Sequence, residues 1–154
     1  VLEQGLDLER ERRWGEALTH YEDALRSHPD QAELEQRLSL SRIHFDLSRR
    51  YADSSYVRSV REMSEIDAIE MYAEVLLKIH THFVTTPQWQ ELNRQGTDNL
   101  EVALADPIFL RVHVPKVRTN QLNAFRQELR QQMNWRQPRN RHEAREAVSA
   151  AAAC

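Results

Sequence analysis

Histidine, serine and carboxylate are the side chains that could carry proton or group transfer here, and their spacing decides whether they do. His20, His28, His44, His80, His82, His113 and His142 include no pair three or four residues apart, the separation that lets two imidazoles share a metal from one helix face. His80 and His82 fall on nearly opposite sides of a helix. None of the nine serines has the Gly-flanked strand-to-helix turn of a nucleophile elbow, and there is no Gly-rich phosphate loop. Glu62, Glu65, Asp67, Glu70 and Glu74 make an acidic ridge in which nothing marks two carboxylates as a coupled acid and base. The stretch from Arg126 to Arg145 interleaves arginines with Trp135, a pattern that can neutralise phosphates and stack on bases. Acids at Glu128, Glu143 and Glu146 break up or border it, and the whole chain carries a net −3, which argues against a nucleic-acid partner. The residues therefore predict no catalytic, cofactor or metal site, and leave protein as the expected partner.

The elements that hold these residues are expected to be helices. The 154 residues are 29% charged with only 3 Gly and 5 Pro, and they are rich in Glu, Arg, Gln, Leu and Ala, the strong helix formers. No stretch alternates apolar and polar with a strand's period of two, so the expected class is all-α without a sheet. No apolar run approaches the roughly 20 residues that cross a bilayer. The single cysteine, Cys154, excludes an internal disulfide framework. Because the sequence opens on Val1 and stops within the helix-favouring run VSAAAAC, it is expected to be part of something longer. Residues 1–35 hold ten acids against four arginines, a net of −6, whereas residues 111–146 hold nine bases against three acids, a net of +6. These read as solvated helix faces of opposite sign.

The strongest periodicity lies between Ser64 and Phe83. Ile66, Ile69, Tyr72, Val75/Leu76, Ile79 and Phe83 recur at three- and four-residue steps, and Ser64 with Asp67 supplies an N-terminal cap. This helix is expected to be central, with Ile69, Tyr72, Leu76, Ile79 and Phe83 as its core face and the other helices packed around it.

Upstream, two short helices meet near Arg13-Trp14-Gly15, where Gly15 is expected to relieve a tight turn. Gly5, Leu8, Ala17, Tyr21, Ala24 and Pro29 fall at the spacing of a small residue, two alanines, an aromatic and a closing proline. This pattern resembles a tetratricopeptide repeat, in which small residues let two antiparallel helices approach while the aromatic fills the gap. The repeat's early Trp and Leu positions are Val1 and Gln4, so the match is partial. Asp30, with Glu33 three residues on, is expected to cap a third helix carried by Leu34, Leu38, Leu40, Ile43, Leu47 and Tyr51 without a second hairpin turn. A lone repeat cannot bury its own face, so this long helix should cover it. The division expected is residues 1–51, a tetratricopeptide-like hairpin with its capping helix, and residues 52–154, a multi-helix bundle.

Further signals set the remaining helices: a break at Asp53-Ser54-Ser55, caps followed by proline at Thr86-Pro87 and Asp106-Pro107, a cap at Thr119, and a capping box at Asn140 and Glu143. At least six helices follow. Gly96, inside a helical face with Trp89, Leu92 and Leu100, is expected to mark a close helix approach. Tyr21, Tyr72, Phe83, Trp89 and Phe125 are expected to be largely buried.

Residues 68–110 are similar to the non-catalytic N-terminal helices of bacterial carboxyl-terminal processing (tail-specific) serine peptidases, with Ile79, Phe83-Val84, Leu92, Gly96 and Leu100 as the matching positions. An upstream repeat hairpin resembles the envelope-associated members. The resemblance implies a scaffold or oligomerisation region in a multidomain peptidase of the cell envelope or periplasm. The family's PDZ module and its catalytic Ser and Lys have no counterpart here, so no catalytic residue carries over. The alternative is a stand-alone tetratricopeptide-type adaptor that clamps a peptide in a helical groove. A homodimer is also expected, through the small-residue stripe Ala147, Val148, Ala151 and Ala152 beside Cys154.

Overall fold

The computed structural model describes residues 1–153, and among them the chain is all helical, with nine α-helices and no strand. They are α1 (Leu2–Arg10), α2 (Trp14–Ser27), α3 (Ala32–Ala52), α4 (Ser54–Glu62), α5 (Glu65–His82), α6 (Trp89–Ala103), α7 (Pro107–His113), α8 (Thr119–Trp135) and α9 (Arg141–Ala152).

The first three helices share one core. Ala17, Tyr21, Ala24 and Leu34 are buried together, and Leu2, Leu8, Leu25 and Leu38 pack against them. Gly5 is required here because a Cβ would collide with the ring and hydroxyl of Tyr21. The tight turn between α1 and α2 is made by Arg12, whose φ of 59° lies in the left-handed region, and not by Gly15. Gly15 sits in the first turn of α2, where an added Cβ would stand 3.2 Å from the Phe45 ring of α3. Pro29 lies exposed in the turn before α3. The third helix is unbroken over 21 residues, about 30 Å long. Its N-cap is Gln31 without a side-chain bond, so Asp30 does not cap it.

The second half is organised by α6, α8 and α9. Leu104, Leu129, Met133 and Ala147 form one buried cluster, joined by Leu100, Phe109, Leu122, Phe125 and Ala151. Leu76, Trp89 and Ala144 form another, with Tyr72 against it. The expected central role of α5 is therefore overturned. That helix packs chiefly on α9, and Leu76 is its sole buried residue. Ile69, Tyr72 and Ile79 are half-buried, while Phe83, the C-cap, is 64% exposed. The physical reason is that apolar residues surround most of this helix. At about 100° per residue, Ile66 with Leu77 and Met71 with Val75 flank the Leu76 face on either side, so periodicity could not say which face would be covered.

Other boundaries also move. Helix α6 begins at Trp89 behind Gln88, leaving Thr86-Pro87 outside it, and the cap of α8 is Arg118, whose N–H is accepted by Gln121 at 3.1 Å. Gly96 faces open space, so no helix approaches it. Ser64, Asp106 and Asn140 cap α5, α7 and α9 as expected. The small-residue stripe of α9 is used partly within the chain: Ala147 is buried with Ala151 packed beside it, Val148 is half-buried and Ala152 is exposed. Cys154, which was expected to lie next to that stripe, is outside the described residues.

Candidate functional site

Four polar or mixed arrangements could serve a function, and each is positioned by the helix ends and turns above. The most buried centres on Asp106, which is 1% exposed. As N-cap of α7 it accepts the Ile108 N–H on Oδ1 at 2.8 Å. Its other oxygen accepts from Arg12 Nη2 at 2.9 Å and His44 Nδ1 at 3.1 Å. His44 in turn lies flat on Trp14, with ring centres 4.2 Å apart. One carboxylate thus ties the α1–α2 turn, the middle of α3 and the α6–α7 junction together, and three donors offset the cost of removing its charge from water. Ser41 is one turn before His44 and is fully buried, but its Oγ has no hydrogen-bond partner.

The second arrangement joins Glu9, Tyr21 and Arg37. The Tyr21 hydroxyl donates to Glu9 Oε1 at 2.8 Å, and Arg37 donates to both Glu9 oxygens, from Nε at 3.0 Å and from Nη2. Burial, reinforced by the Glu9 carboxylate, pushes the Tyr21 hydroxyl up to about 12. The third is an aromatic knot where α3, α4 and α7 meet. Tyr51 Oη lies 2.6 Å from His113 Nε2, with Tyr56 and Phe109 edge-on to the Tyr51 ring. Burial, with a smaller contribution from Arg61, lowers the His113 pKa, and burial likewise pushes the Tyr51 phenol up to about 12. Among the described residues no group of three His, Cys, Asp or Glu is placed to hold a metal ion.

The fourth is a cleft of about 640 Å³ between α6 and the connection from α8 to α9. Trp89, Asn93 and Met133 line its buried side, and Arg136, Pro138 and Arg139 its other wall. Asn93 Nδ2 donates to the Arg136 carbonyl at 3.4 Å, and its Oδ1 is buried without a partner.

Comparison with protein-family models, with curated proteins and with solved structures finds no match to this chain.

The residues singled out from sequence fall in two places. Gly5, Leu8, Ala17, Tyr21 and Ala24 come together in the α1–α3 core, with Pro29 at its edge. Of the α5 residues, Leu76 and Tyr72 reach the Trp89 cluster and Phe83 does not. Sequence reading assigned Asp106 a cap and missed its second oxygen, because Arg12 and His44 stand 94 and 62 positions away. No local signal connects them.

Proposed function

We propose that this chain is a non-catalytic helical scaffold that assembles with a second copy through α5, as the N-terminal oligomerisation region of a multidomain tail-specific serine peptidase. The observation that carries the reading is the exposed apolar surface of α5: Ile66, Met71, Val75 and Leu77 all stand in solvent, followed by Phe83 and Val84. A helix that is apolar round most of its circumference is ordinarily enclosed by neighbours, and two exposed apolar flanks of this kind mark it as an interaction surface. The charges on the same helix favour a copy of itself as the neighbour. Glu65, Asp67, Glu70 and Glu74 occupy its first half, and Lys78 its second. Antiparallel pairing about a two-fold axis sets each half against its complement and opposes the helix dipoles.

Sedimentation equilibrium with reductant present tests the assembly. The expected mass is twice 18.2 kDa at high micromolar concentration, falling to 18.2 kDa in a Met71→Glu, Val75→Glu variant. A mass of 18.2 kDa throughout, for the unaltered protein, defeats it. The peptidase context, with its envelope or periplasmic location, is tested by the coding frame after Cys154. A PDZ-like segment and a Ser/Lys pair support it, whereas further helical repeats favour the adaptor reading, which the packing of Gly5 on Tyr21 suits.

A further inference from the structure

We propose that the cleft between α6 and the α8–α9 connection binds an acidic peptide segment. Two of its cations lack an internal counterion. Arg94, at one edge, is held by Glu91 at 2.6 and 2.9 Å and by Asp98 at 2.7 Å, but the Arg136 and Arg139 guanidiniums have no ion pair or side-chain hydrogen bond among the described residues. Planar guanidinium groups favour carboxylates, which they can grip with two parallel bonds.

The second observation is Asn93, 6% exposed. The bond from its Nδ2 to the Arg136 carbonyl fixes which way the amide faces, so the atom left without a partner is the acceptor, Oδ1. Buried acceptors are rarely left unpaired, and this one calls for an N–H. A ligand that satisfies the wall and the floor together carries a carboxylate and an amide N–H close to it. A glutamate or aspartate within a peptide has both. A phosphate suits the arginines but brings no donor for Asn93. A nucleic-acid base would need the face of Trp89, which is 6% exposed.

The test is fluorescence anisotropy of a labelled, acetylated and amidated peptide with two glutamates flanking a leucine, titrated with the whole chain at physiological salt. Saturable binding is expected, weakened about tenfold or more in Arg136→Gln, Arg139→Gln, and weakened also in Asn93→Ala. The double variant Arg141→Gln, Arg145→Gln, which removes the same charge outside the cleft, should stay within about twofold. Circular dichroism confirms that each variant is folded. The proposal fails if binding does not saturate, if both double variants lose affinity equally, if the peptide with glutamine in place of glutamate binds as well, or if an oligonucleotide of equal charge binds more tightly. Because Met71 and Val75 lie outside the cleft, the Met71→Glu, Val75→Glu variant should keep peptide affinity whatever happens to its association.

Discussion

Tyr21 and Phe83 are both large aromatics on helical faces with the same period, and the protein treats them in opposite ways. Tyr21 is 0% exposed, enclosed by α1 and α3, with its hydroxyl bonded to Glu9. Phe83 ends α5 and stands in solvent. The difference lies in the neighbours. Around Tyr21 the chain supplies a glycine that makes room, two alanines that let the helices close, and a 21-residue helix as a lid. Around α5 it supplies α9 and the Trp89 end of α6, and leaves both flanks open. An apolar period shows that a face wants cover; cover requires a partner of matching shape.

That contrast can be broken by mutation. Tyr21→Ala should cost about 3–5 kcal/mol in urea unfolding, while Tyr72→Ala, half-buried on α5, should cost less than half as much. Equal losses would mean that α5 is as enclosed as the hairpin. Asp106→Ala, which strands His44 and Arg12 beside a vacated site, is expected to cost about 3 kcal/mol. Gly5→Ala should destabilise by about 1–3 kcal/mol because the Tyr21 ring must shift to admit the methyl group. A Gly5→Ala protein with an unchanged unfolding midpoint would show that the two helices have slack.

Protonation separates the aromatic knot from both regions. His113 has its pKa lowered by burial and then by Arg61, so the folded state resists taking up the proton. Stability from this group is full above the ordinary value of 6.5 and is lost as pH falls below it toward the lowered folded value. Thermal melts between pH 7.5 and 5.5 should therefore show a larger fall for the natural protein than for His113→Gln. The smallest stability effect belongs to Val75→Glu, within about 0.5 kcal/mol, even though with Met71→Glu it is expected to abolish association.

The hairpin was legible in the sequence because its determinants are close together: Gly5, Ala17, Tyr21 and Ala24 span twenty positions and repeat a helical period. Caps whose partner lies two or three residues on, such as Asp106 and Asn140, could be read for the same reason. The Asp106 junction and the Asn93 cleft could not, since each joins residues from separate helices whose proximity depends on the folded path. The turn at Arg12 was missed because an arginine in the left-handed region is held there by its surroundings and not by its own preference. The face of α5 was misjudged because too many of its residues are apolar for period alone to decide.

The 94 positions between Arg12 and Asp106 set an order in time. During synthesis at about 5–20 residues per second, Asp106 is added roughly 5–20 s after Arg12. The α1–α3 contacts are nearer in sequence and close in a small fraction of that interval. Arg12 and His44 are therefore both synthesised before their carboxylate exists, and the Asp106 bonds can form only once the second half has been made.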